Sequence, residues 1–146
     1  MGNLPHAGNF RELLVYQKAH ELQREIFRLT ATFPKEESFS LTSQIRRSSR
    51  SIGAQIAEAW GKRRSENHFI SKQTDADSEQ YETQHWIGTA VDCGYWNEQT
   101  ASPLQKRCEE IGRLLGGMME KANLFCGTPS HSLHEASVEY FVTDDQ

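Results

Sequence analysis

Val15, Ala19, Leu22, Ile26, Leu29 and Phe33 recur along the chain at alternating steps of four and three. That spacing gathers them into one narrow stripe of an α-helix, the seam of a coiled-coil-like packing. Leu14 and Phe27 widen the apolar face, so a first helix is expected over about 9–33. Pro34 ends it, because proline has no N–H to donate and drives the preceding residue out of the helical region. After a short loop, Ser38 or Ser40 is the expected cap of a second helix. Its stripe is Leu41, Ile45, Ser48, Ile52 and Ile56. Ser48, Ser49, Ser51, Gly53, Ala54 and Ala57 make this segment rich in small residues. They let a neighbouring helix approach closely, at a cost of about 1 kcal/mol for the glycine. Gly61 is expected to close it.

Ser65 reads as the N-cap of a third helix reaching about residue 95, with Glu66 in its first turn. Its stripe is unlike the others: Phe69, Ala76, Ile87 and Ala90 share it with Gln73, Gln80 and Thr83. Buried amides need partners, so the pattern leaves two readings, a polar network inside the protein or a true stripe rotated away from those residues. The fourth segment follows a strict alternation through Leu104, Cys108, Ile111, Leu115, Met118, Ala122 and Phe125. Ser102 and Gln105 form a capping box with Pro103 at the first helical position, and Gly127 and Pro129 are the expected stop. Gly112, Gly116 and Gly117 lie off the stripe. Three helical glycines cost roughly 3 kcal/mol against alanine, which predicts compensation by close backbone contact with another helix, within or between subunits. Short loops between amphipathic helices give an all-α, antiparallel up-down-up-down four-helix bundle over 9–127. A flexible N-terminus at 1–8 and an acidic, flexible tail at 128–146 are expected to flank it.

Composition adds little to this; charge adds more. Hydrophobic residues are 36% and charged residues 25%, which suits one globular domain. No apolar run approaches the roughly 18 residues of a membrane span, and the first residues lack the basic and apolar regions of a signal peptide. Cys93, Cys108 and Cys126 are odd in number and widely spaced, so reduced thiols and a cytoplasmic location are expected. The net charge of −4 makes the whole chain a poor generic polyanion binder. The charge is unevenly spread, however. Arg46, Arg47, Arg50, Lys62, Arg63 and Arg64 face only Glu58 within their segment, whereas Asp75, Asp77, Glu79, Glu82, Asp92 and Glu98 follow with no lysine or arginine among them.

The basic set is the candidate site. Arg46 and Arg50 share a helix face, Arg47 lies beside them, and Lys62, Arg63 and Arg64 extend the charge to the helix end. Phosphates need such cations for neutralisation, but the same cations can pair with the acids of the third segment, within a subunit or across an interface. No catalytic constellation stands out. There is no Gly-rich phosphate loop, metalloprotease motif or nucleophile elbow, and Glu36, Glu37, Glu109 and Glu110 read as exposed carboxylates. No metal site or cofactor is expected: His68 and His85 are far apart, and His131 and His134 lack further ligands. Trp60, Trp86 and Trp96 read as core or interface anchors, with Trp60 also a surface on which a base can stack.

Several stretches resemble a known family. FRELLVYQKAHELQREIFRLTATFPK (Phe10 to Lys35) and SFSLTSQIRRSSRSIGAQIAEAWGKRR (Ser38 to Arg64) are similar to the four-helix bundle proteins found inside intervening sequences of 23S ribosomal RNA genes. DADSEQYETQHW and DCGYW, within Asp75 to Trp96, and IGRLLGGMMEK, Ile111 to Lys121, resemble one subgroup. The resemblance implies a homopentameric ring and a relation to the accessory variability protein of diversity-generating retroelements, whose basic surface binds nucleic acid. The acidic third segment departs from such a surface. The expected function is therefore that of a non-enzymatic oligomeric scaffold binding RNA or DNA through Arg46, Arg47, Arg50, Lys62, Arg63 and Arg64. The alternative is a protein-protein adaptor ring in which basic and acidic helices pair and a protein partner is recruited.

Overall fold

The computed structural model describes residues 7–127. It contains four α-helices, α1 (Leu14–Thr30), α2 (Leu41–Gly61), α3 (Glu66–Asp92) and α4 (Glu98–Glu120). The first six residues and the acidic tail from 128 on, with His131 and His134, lie outside the described residues.

Each helix start has a local cause. Asn9 accepts from the Arg11 N–H and opens a single 3₁₀ turn, Phe10–Glu12. Leu13, extended at φ −70° and ψ 132°, separates that turn from α1, so the α-helix begins later than the apolar pattern suggests. Ser40 is the N-cap residue of α2, as expected, but its side chain accepts no N–H of the first turn. The Glu37 carboxylate takes that part, accepting from the Leu41 N–H (3.2 Å) and the Ser40 hydroxyl (2.6 Å), which puts a negative charge at the positive end of the helix. Ser65 caps α3 as expected, accepting from the His68 N–H.

The start of α4 differs from expectation. Asn97, not Ser102, is the cap, and its side chain accepts from the Thr100 N–H at 3.0 Å. Pro103 therefore sits inside the helix, where its ring removes the N–H that would have met the Gln99 carbonyl. The earlier start buries Ala101 in the core. The far end differs too. α4 stops at Glu120, and a 3₁₀ turn, Ala122–Leu124, carries the chain to Gly127, whose φ of +78° suits glycine.

Consecutive helices pack side by side, and α1 also meets α4, which closes an antiparallel four-helix bundle. Phe33 packs against Tyr95 (5.2 Å) and Trp96 (5.0 Å), joining the α1–α2 loop to the α3–α4 loop at one end. The Tyr95 hydroxyl donates to Glu37 there at 2.8 Å. At the other end Phe69 stacks on Phe125, and the Gly127 N–H donates to the Arg63 carbonyl at 2.9 Å. Leu22, Ile26, Ile45, Ile52, Ile56, Ile87, Ile111, Leu115 and Met118 are fully buried between these ends. Each such side chain contributes about 1.5–3 kcal/mol.

The α3 stripe is not rotated. Gln73, Gln80 and Thr83 all face inward and are buried. The Thr83 and Ser48 hydroxyls bond to each other across α2 and α3 (2.9 Å). The Gln80 amide nitrogen donates to Asp77 (2.9 Å), and its oxygen accepts from Gln84 (2.7 Å). This polar chain reaches α4 where the Gln105 side chain donates to the Gln84 carbonyl. Among the described residues, no helix is long and apolar enough to cross a membrane.

Candidate nucleic-acid interface

The core stripe of α2 turns Thr42, Ser43, Arg46, Arg47, Arg50, Ser51 and Ala54 to its opposite side. With Ser38 from the preceding loop they line an open groove of about 560 Å³. The structure divides the six candidate cations into three groups.

Arg47 is engaged by acids. Its guanidinium meets Glu82 at 2.6 Å and Glu79 at 3.3 Å on α3. Those carboxylates are held in turn, Glu82 by the Trp86 indole N–H (3.0 Å) and Glu79 by the Ser51 hydroxyl (3.1 Å). The bond it donates to Glu82, then those to Glu79, raise the pKa of Arg47. Burial pushes Glu82 upward, but bonds from Arg47 and Trp86 outweigh it and its pKa falls. Lys72 adds a second bridge between the same helices, to Glu58 at 3.0 Å, and also meets Asp75 at 3.4 Å.

Arg46 and Arg50 have no carboxylate partner among the described residues. The Arg46 guanidinium donates to the Thr30 hydroxyl (2.8 Å) and the Phe27 carbonyl (3.3 Å). It lies 4.4 Å from the centre of the Phe27 ring, and Arg50 lies over the same ring at 5.5 Å. Two like charges thus share one aromatic platform. Burial, and then the neighbouring Arg50 charge, lowers the pKa of Arg46. The pair forms a fixed positive spot at the mouth of a hydroxyl-lined groove, as an anion site requires.

The third group sits at the turn after α2. Arg63 stacks on Trp60 at 3.5 Å, donates to the Trp60 carbonyl at 2.8 Å, and is partly buried, which lowers its pKa. Arg63 covers the face of Trp60 that a base would otherwise meet. Lys62 and Arg64 are exposed and make no ion pair among the described residues.

Two features of this surface were not readable as site features in the sequence. Phe27 reads there only as a wider apolar face, yet it is half exposed and carries both arginines. Phe39, which follows the groove residue Ser38 in the chain, is 97% exposed, and nothing in its local pattern marks it. The thiols stay apart: Cys93 is exposed, Cys108 is buried, and no disulfide forms. Among the described residues, no group of three or more histidines, cysteines or acids is arranged to hold a metal ion.

Residues 11–117 match the profile of the 23S rRNA-intervening sequence protein family. A crystal structure of a protein of unknown function from the S23 ribosomal protein family of Bacteroides thetaiotaomicron superposes with a TM-score of 0.65 at 27% identity. The similarity covers 73% of this chain and 99% of that one. No curated protein matches the chain.

Proposed function

The chain belongs to the 23S rRNA-intervening sequence protein family, and from that premise we propose that it is a non-enzymatic, oligomeric scaffold that binds the phosphodiester backbone of RNA or DNA through α2. The observation that carries the reading is the pair Arg46 and Arg50 on the Phe27 ring, unpaired with any described carboxylate and facing a groove lined by Thr42, Ser43 and Ser51. Arginines held by an aromatic platform need little reordering to meet a phosphate, and the Thr42 hydroxyl adds a neutral donor beside them, whereas those of Ser43 and Ser51 already donate to the Ser40 carbonyl and to Glu79. Lys62 and Arg64 contribute long-range attraction from the helix end. Arg47 belongs to the α2–α3 bridge and orients the surface more than it binds.

The test is binding of RNA and DNA of one sequence across a salt series. Loss of one phosphate contact in an Arg50→Ala variant lowers the slope of log K against log salt by about one. Absence of salt-dependent binding near about 0.1 M salt refutes the reading.

The exposure of Phe39 favours a second reading, in which the ring recruits a protein partner. A bare phenyl ring at 97% exposure is costly to leave in water and suits a protein contact. Pull-down with a Phe39→Ser variant, and with and without residues 128–146, separates the two. If only nucleic acid co-purifies and nuclease removes it all, the adaptor reading fails. The homopentameric ring is common to both, and light scattering that finds a monomer at micromolar concentration removes it.

A further inference from the structure

A second groove, of about 310 Å³, lies on α1 and is used by none of the contacts described above. It is lined by Arg11, Tyr16, Gln17, His20, Glu21 and Arg24. On α1 the steps of three and four from Gln17 to His20, Glu21 and Arg24 place these side chains on one surface. Arg11 joins them from the preceding turn, because its carbonyl accepts from the Gln17 side chain at 3.0 Å. Its guanidinium is held over the Phe10 ring at 4.5 Å, and His20 stacks on Tyr16 at 5.8 Å. Neither Arg11 nor Arg24 pairs with a carboxylate among the described residues, and Glu21 is the one acid lining the groove.

This groove adjoins the one on α2. Arg24 stands one turn before Phe27, the ring beneath Arg46 and Arg50. The Tyr16 ring reaches within 3.4 Å of the point a Cβ on Gly53 would occupy, so no side chain at that position stands between the two helices. Ala54, the next residue, is the last one lining the α2 groove. Cations and aromatic rings therefore alternate along α1, from Arg46 and Arg50 over Phe27 to Arg24, then His20 and Tyr16, then Arg11 on Phe10. The path runs the length of α1, 17 residues or about 25 Å. One strand of a duplex passes about seven phosphates over that length.

We propose that the α1 groove is the second half of a phosphodiester-binding track, so that a nucleic-acid strand seated at Arg46 and Arg50 continues over Phe27 onto Arg24 and Arg11. The inference rests on the reading of α2 given under Proposed function and adds a site to it. Arg24 and Arg11 neutralise the continuing phosphates, and the Tyr16–His20 stack offers a surface to an unpaired base or a sugar.

The experiment uses the full chain and oligonucleotides of one sequence, as RNA and as DNA, about 4 and about 12 nucleotides long, in a salt series. Arg50→Gln, the double variant Arg11→Gln with Arg24→Gln, and the charge-preserving Arg11→Lys with Arg24→Lys are compared with the unaltered protein. For the longer oligonucleotide the double glutamine variant loses about 1.5 to 2 from the salt slope, while the lysine variant keeps it. For the shorter one, bound at α2 alone, the double glutamine variant matches the unaltered protein. Equal binding of the long oligonucleotide by the double glutamine variant and the unaltered protein, with a loss in Arg50→Gln, overturns the track and leaves the α2 reading standing. A loss in the double glutamine variant with none in Arg50→Gln overturns the α2 reading and the continuous track together, as does absence of binding by the unaltered protein. A loss of slope in the lysine variant equal to that in the glutamine variant shows a structural effect and also overturns the track.

Discussion

The side-chain nitrogen of Gln80 lies 2.8 Å from the point that a Cβ on Gly112 would occupy. At Gly112, α4 thus meets an α3 side chain, and the Gln80 amide fills the space a side chain would need. That amide is buried and bonded to both Asp77 and Gln84, so it cannot swing aside cheaply. Gly112→Ala gains up to about 1 kcal/mol of helix propensity and loses more by breaking those bonds, for a net destabilisation of about 1–2 kcal/mol. Gly116, with nothing within 4 Å of its would-be Cβ, lacks this conflict. Gly116→Ala is expected to stabilise by about 0.5–1 kcal/mol. Thermal melts should move in opposite directions, by about 3 °C per kcal/mol.

The same pair shows what could be read without a structure. The four-three stripes of the first, second and fourth segments appear as buried residues, except that Leu29 and Phe125 are only partly buried, because a 3.6-residue period leaves a one-dimensional trace. Val15, Ala19, Leu22, Ile26, Leu104, Cys108, Ile111, Leu115 and Met118 are all in the core. The inward Gln73, Gln80 and Thr83 were visible as anomalies in the third stripe, but whether each is satisfied was not: Gln80 bonds within α3, Thr83 reaches Ser48 on α2, and Gln73 has no partner among the described residues. The cap of α4 was misread for a different reason. Ser102 and Gln105 have the right chemistry and spacing, but so does Asn97 ahead of Glu98, and the helix that starts at Glu98 also buries Ala101. The candidate site was half legible. The cationic residues were evident in sequence, but their division into bridged Arg47 and unbridged Arg46 and Arg50 depends on which way neighbouring helices face.

That division gives a contrast in stability. Arg47 is 49% exposed at its side chain, so solvent screens its pairing with Glu79 and Glu82. Arg47→Ala is expected to cost about 1 kcal/mol or less, and Arg50→Ala, which removes only a ring contact, less again. A double-mutant cycle with Glu82→Gln measures the Arg47–Glu82 coupling. A coupling within error of zero would remove Arg47 from the α2–α3 bridge.

Gln73 offers a stabilising substitution. It is fully buried, and neither its amide oxygen nor its nitrogen has a hydrogen-bond partner. An unsatisfied buried amide costs about 1–3 kcal/mol. Gln73→Met keeps the length and flexibility of the side chain and removes both orphaned atoms. Chemical denaturation should show a gain of about 1–2 kcal/mol with an unchanged slope. A loss would mean that Gln73 is satisfied in solution by a bound water or partner.

Thiol reactivity should follow burial. Burial is the main cause that pushes the Cys108 thiol up to about 12, with Glu109 adding to it, so its reactive thiolate is scarce at neutral pH. Burial also raises Cys126, more than the opposing Arg63 charge lowers it. Cys93 is exposed. A disulfide exchange reagent should label Cys93 first in the native protein, Cys126 more slowly, and Cys108 only as the bundle unfolds. Rapid labelling of Cys108 would show that α4 opens locally without global unfolding.

The Glu37–Tyr95 bond ties the two loops at one end and predicts how stability changes at both extremes of pH. Bonds from Ser40, Tyr95 and the Leu41 N–H lower the pKa of Glu37. A carboxylate whose folded pKa is depressed adds stability that is present above its unfolded value and is lost as the pH falls through the folded one. Tyr95 behaves in the opposite sense. The bond to Glu37 is the largest cause that pushes its hydroxyl up to about 12, since a phenolate beside a carboxylate is unfavourable. Its contribution is complete below the ordinary tyrosine value near 10 and fades as the pH rises toward 12. Tyrosinate absorbance should reveal a late-titrating component, Tyr95, that moves back toward the ordinary value in Glu37→Ala. That variant should also lose the acid-side dependence, because it removes the cap of α2 and the tie to Tyr95 together. A late-titrating tyrosine that persists in Glu37→Ala would show that Glu37 is not what holds the Tyr95 proton.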